Sequence, residues 1–100
     1  MSGEAEFERQ QRARFLARVE TDLASLRAAS RRLGADPAAI AEIERVAHGL
    51  AGAGGTFGFM EVSEQAEQVE ILAEARDAAR LPPMLAALDR ALVAALDSRP

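Results

Sequence analysis

The sequence predicts an all-α protein, an antiparallel up-and-down four-helix bundle, on three observations. The first is composition: 23 of the 100 residues are alanine and 11 are leucine, with few β-branched residues, a mixture that favours helix over sheet. The second is periodicity, because apolar residues recur at steps of three and four in four separate segments. The third is punctuation. Gly34, Asp36-Pro37, Gly58 and Pro82-Pro83 divide those segments with connections so short that neighbouring helices must run antiparallel. With 49% hydrophobic and 28% charged residues the chain has the composition of a folded domain, and its length suits a single domain spanning 1–100.

The first helix is expected over about residues 4–33, where Phe15, Leu16, Val19, Leu23, Leu26 and Leu33 keep helical spacing between charges. Its length leaves room for a short extra N-terminal helix ahead of the main one. Gly34 is placed to end it. Asp36-Pro37 then supplies an N-cap followed by proline at the first helical position, and opens a second helix over about 37–57. Ile40, Ile43, Ala47, Leu50, Gly54 and Phe57 form its apolar stripe. A third helix, over about 60–80, starts near Met60-Glu61 or is capped by Ser63, and buries Val62, Ala66, Val69, Leu72 and Ala73. Pro82-Pro83 forces a turn and opens the fourth, over about 83–97, with Leu85, Leu88, Leu92 and Leu96 as a narrow seam.

Several functions are excluded by what the chain lacks. It has no cysteine, so disulfides and thiolate metal sites are impossible. It has no lysine, which rules out a Walker-type phosphate loop. A net charge of -4 argues against nucleic-acid binding, and the arginines at 9, 12, 14 and 18 alternate with Glu4, Glu6, Glu8 and Glu20 as on a solvated helix face. The charged start of the sequence lacks an apolar signal segment, and no apolar run is long enough to span a bilayer; the expected location is the cytoplasm, away from any membrane.

The informative stretch is AHGLAGAGGTFG, residues 47–58, where the sole histidine is followed by five glycines within ten residues. Four glycines inside a helix cost on the order of 4 kcal/mol relative to alanine. A loop would avoid that cost but would waste Leu50 and Phe57, which keep the period of Ile43. The G-x-G-x-x-G fingerprint is not met, and no strand precedes it. The stretch therefore reads as helix. At 100° per residue His48 lies about 130° from the centre of the apolar stripe, facing solvent. Glu44, Arg45, Ala51 and Gly52 are its neighbours one turn away, with Ala41 and Gly55 further along the same face. Gly54 is explained by close helix packing. Gly52 and Gly55 point outward, where packing gives no return for them, and clear a path by which another protein can reach the ring.

Chemistry narrows the role of His48. Hydrolysis would need a nucleophile nearby, and although Glu44 could orient the ring, no serine or cysteine is close in sequence. Metal binding would leave only carboxylates as further ligands. As a nucleophile toward phosphorus, an exposed imidazole with an ordinary pKa of about 6.5 is substantially neutral at pH 7 and needs only approach room.

These residues resemble the histidine phosphotransfer (HPt) domain of two-component phosphorelays, whose motif is H-x-L-K-G-x-x-x-x-φ-G with φ apolar. His48, Leu50, Gly52, Phe57 and Gly58 match it, and Ala51 stands where the family often has lysine. The resemblance implies that His48 is the phosphoacceptor, with Glu44, Arg45, Ala51, Gly52 and Gly55 forming the partner's approach surface. It places Glu70 near the imidazole, where many members carry glutamine and where its charge is expected to oppose a phosphate; it leaves the missing lysine's role to Arg45 or to the partner. It further implies a carrier without catalysis or autokinase activity, and with no cofactor of its own. The phosphoryl group comes from a receiver-domain phosphoaspartate or a hybrid histidine kinase and passes to a response regulator, whose receiver supplies Mg²⁺. A monomer is expected. Two other readings fit a helical bundle of this length. One is a helical scaffold or dimerisation bundle with an unphosphorylated histidine. The other is the dimerisation part of a sensor kinase, which lacks its usual acid-arginine-proline run here.

Overall fold

A computed structural model describes residues 3–100. It contains four helices: α1 (Gly3–Arg31), α2 (Ala38–Thr56), α3 (Met60–Glu74) and α4 (Leu81–Asp97). Each packs on the next in sequence, and α4 closes on α1. Their direction follows from cross-helix pairs whose numbers run in opposite senses. Between α2 and α3 these are Ser63–Ala51, Glu70–His48 and Arg76–Glu44, the last just beyond α3; between α1 and α4, Glu20 pairs with Arg99, just past the end of α4, and Arg27 with Asp89. The fold is thus the expected antiparallel up-and-down bundle, 51 Å long and 19 Å across.

The core is built from the predicted stripes. Val19, Ile43, Leu50, Val62, Val69, Leu81, Leu88 and Leu92 are the largest fully buried side chains, and each contributes roughly 1.5–3 kcal/mol by leaving water. Small residues sit between them, with Ala47, Ala66 and Ala73 completely enclosed. Ile40, Leu33, Leu72 and Leu96, expected in the core, pack half-buried at its margin. At one end Phe15 of α1 stacks on Phe57 with ring centroids 5.4 Å apart and contacts Phe59 at 5.2 Å, while Arg12 lies over the Phe59 ring at 4.5 Å.

The helix ends correct the sequence reading in four places. The N-terminal helix is continuous from Gly3, with no separate short helix, because Glu4 and Glu6 favour its first turn and no breaker intervenes. It ends at Arg31 rather than Leu33, three residues before Gly34, which takes a φ of +85°. The third helix stops at Glu74 instead of about 80. There Arg76 adopts a left-handed φ of 56°, the Asp77 N–H reaches back to the Leu72 carbonyl and the Arg76 N–H to that of Ala73, which closes a Schellman cap without glycine. The fourth helix starts at Leu81 rather than 83, and both prolines fit inside its first turn, where a missing N–H costs nothing.

Two junctions follow the sequence reading. Pro37 already has helical dihedrals, and the Ala38 N–H donates to Asp36 Oδ1 at 3.0 Å, so Asp36 caps α2. That N–H, then the Arg32 guanidinium, hold the Asp36 carboxyl below its usual range. Between α2 and α3, Gly58 takes the left-handed φ of +80° that closes a Schellman turn, with Phe59 N–H donating to the Gly54 carbonyl at 2.8 Å.

Candidate functional site: the exposed face of α2

The stretch 47–56 is helical through all of its glycines. Ile43, Val46, Ala47 and Leu50 anchor its inner face, which offsets what the glycines forfeit. The outer face is then left almost bare. His48 projects from it with 78% of its side chain exposed. A Cβ at Gly52 would meet nothing within 4 Å, and one at Gly55 only the Ser63 hydroxyl at 3.5 Å. Gly54 differs: its Cβ would stand 3.1 Å from the Ser63 nitrogen and 3.2 Å from the Phe59 carbonyl, so this glycine lets α3 approach.

The carboxylate that meets the ring is Glu70 of α3, with Oε2 2.6 Å from His48 Nδ1. A carboxylate only accepts, so Nδ1 is the donor in this contact, and Nε2 is the nitrogen that the contact leaves unengaged. Glu70 is itself only 19% exposed. Its charge lies on the Nδ1 side of the ring. Glu44 does not orient the ring. Although one turn from His48, it is drawn toward Arg76 at the end of α3, 3.6 Å away.

The other predicted residues divide by side. Arg45 and Gly52 are exposed on the histidine's face, and Gly55 is exposed where that face borders α3. Ala51 is half-buried and turned to α3, its carbonyl accepting the Ser63 hydroxyl at 2.6 Å. Two contributors went unnoticed in the sequence reading of the site. Ser63, a candidate helix cap by sequence, ties α3 to α2. Arg18 of α1 lies over Gly49, whose Cβ would collide with the guanidinium and stand 3.3 Å from Cζ. Only the arginine cluster on the first helix hinted at it, without saying which arginine faces α2.

Among the described residues no three potential metal ligands gather into a site, and no helix is long and apolar enough to cross a membrane. Comparison with curated proteins and with solved structures finds no match. Comparison with protein families does: the Hpt domain matches over residues 10–98, which takes in the bare face of α2, both helices beside it and α4. The chain therefore belongs to the Hpt domain family, whose role is phosphotransfer in two-component signalling.

Proposed function

We propose that this protein is a phosphorelay carrier that takes a phosphoryl group on His48 Nε2 and hands it on. The observation that supports the reading is the exposed imidazole whose Nδ1 is engaged by Glu70, on a helix face where Gly52 adds no side chain. The donor is the phosphoaspartate of a receiver domain, on a hybrid histidine kinase or a separate protein. The Nε2 lone pair attacks phosphorus, the P–O bond to the aspartyl carboxyl breaks, and the carboxylate departs. The ring keeps its Nδ1 proton and becomes cationic, a charge that the Glu70 carboxylate faces directly. In onward transfer the same cationic ring is a good leaving group, and an aspartate of a response regulator takes the phosphoryl group.

The carrier has no cofactor and no kinase activity of its own in this reading. Mg²⁺ and the reacting aspartate belong to the receiver, and the carrier acts in the cytoplasm as a monomer. The decisive experiment is incubation with a phosphorylated receiver domain. Acid-labile, base-stable phosphate should appear on the wild-type chain and be absent from His48→Gln. Label that survives in His48→Gln overturns the assignment, label with ATP alone identifies a kinase, and a chain that takes no label from any receiver is a scaffold.

A further inference from the structure

The positive charge absent at Ala51 has a counterpart on another helix. Arg18 projects from α1, and its Nε donates to Asp22 Oδ2 at 3.1 Å, which fixes the near side of the guanidinium. The far side lies on α2 in the notch left by Gly49, where any Cβ would collide with Nη2. Among the described residues neither Nη group meets a hydrogen-bond acceptor. The notch thus holds a charged fork with its donors unused, directly beside the residue that follows His48.

The ring's orientation makes that position chemically useful. Glu70 takes Nδ1 from the α3 side. The two nitrogens flank Cε1 and point in divergent directions, so Nε2 is directed away from Glu70, while Arg18 comes onto α2 from α1, the helix on its other side. Building on the reading of His48 as phosphoacceptor, we propose that Arg18 binds the phosphoryl group on His48 Nε2, in place of a lysine at position 51. Its planar Nη donors match two phosphoryl oxygens. Asp22, only 16% exposed, anchors the side chain beforehand, so little further rotamer freedom is lost on binding. Arg45 shares the exposed face, but among the described residues no ion pair anchors it.

The test uses the full chain and phosphoramidate, a small donor that phosphorylates imidazole without a protein partner. Nε2 forms the new N–P bond as the donor's own P–N bond breaks and ammonia leaves. Because His48 is the sole histidine, the phosphohistidine is formed at one site. Loading should shift the Arg18 guanidinium resonances in ¹⁵N NMR. A dianionic phosphoryl group sheds charge in the loose transition state of P–N cleavage, so a bound cation favours the loaded form. Arg18→Gln should therefore shorten the phosphohistidine half-life about three- to fivefold, the scale of a partly exposed charge pair. Arg18→Lys should recover part of it, Gly49→Ala should resemble Arg18→Gln by displacing the fork, and Arg31→Gln, exposed at the far end of α1, should leave the half-life unchanged. An unmoved Arg18 resonance, a half-life in Arg18→Gln equal to wild type, or a loss seen only in Arg45→Gln overturns the proposal. Failure of the relay reading is a separate result: the chain then loads from phosphoramidate, and Arg18 responds, while no phosphorylated receiver transfers to it.

Discussion

His48 Nδ1 and Glu70 Oε2 meet at 2.6 Å across the α2–α3 interface, so a residue twenty-two positions away decides which nitrogen of the histidine is free. Replacing Glu70 by alanine leaves Nδ1 to water and lets the proton move between the two nitrogens. Phosphotransfer from a receiver should slow about tenfold, the scale of one lost charge-assisted hydrogen bond. Glu70→Gln, which keeps an acceptor without the charge, should fall between. The ¹⁵N shifts of the ring report the tautomer directly, and an unchanged tautomer in Glu70→Ala would contradict the role given to this contact.

The helical glycines should respond differently to the same methyl group. Gly52→Ala meets open space and should stabilise the fold by about 0.5–1 kcal/mol. Gly54→Ala presses on the Ser63 nitrogen and the Phe59 carbonyl, backbone atoms that cannot swing aside, and should cost about 1 kcal/mol net. Thermal denaturation distinguishes them. A larger residue at Gly52, such as glutamine, should keep most of the gain in stability yet lower the rate of transfer from a receiver, because it occupies the approach to His48.

Acid should weaken the α1–α4 contact at Asp89. Its hydrogen bonds from Arg27, at 2.7 and 3.0 Å, and the charge of that guanidinium hold the carboxyl below its usual range. A carboxyl with a depressed folded-state pKa contributes stability above the unfolded pKa of about 3.9, and that contribution disappears as pH falls through the folded value. Asp89→Asn should therefore melt slightly lower than wild type at pH 7, with the gap constant down to about pH 5 and closing below about pH 4. A gap that widens in acid would contradict this account. Melting curves across that range measure it.

Ser63→Ala removes the hydroxyl that donates to the Ala51 carbonyl at 2.6 Å. The expected loss is about 0.5–1.5 kcal/mol in urea unfolding. The Ser63 hydroxyl bonds neither His48 nor Glu70, so the tautomer seen by NMR should not change.

Periodicity and caps made most of the bundle legible. The step of three and four from Ile43 to Leu50 placed His48 outward, and Asp36-Pro37 marked the start of α2, because both signals are local in sequence. The end of α3 was not legible in the same way. Ala75, Arg76, Ala78 and Ala79 are good helix formers, and the helix stops because Ala73 and Leu81 must both reach the core, which requires the chain to reverse between them. Asp77 was an available clue: Arg80 N–H donates to its carboxylate at 3.2 Å as α4 begins. Within the site, the outward glycines were readable, whereas Glu70 entered only through resemblance and Arg18 only as one of a cluster of arginines on the first helix. Contacts between helices depend on how far one slides along the other, and no spacing within a single helix encodes that.

The close α2–α3 packing also separates the site into parts of unequal robustness. His48 and Glu70 belong to one helical hairpin, closed by the short turn at Gly58 and drawn together at Gly54, so their meeting needs only nearby stretches of chain. Such local contacts form early and open late. Arg18 reaches the site from α1, and no residue of that helix before Phe15 is buried. Detachment of α1, whose packing on α2 is not local in sequence, would therefore leave His48 and Glu70 together while withdrawing the Arg18 guanidinium from Gly49. Hydrogen exchange should find this order, with amides of α1 exchanging ahead of those around Leu50 and Val69.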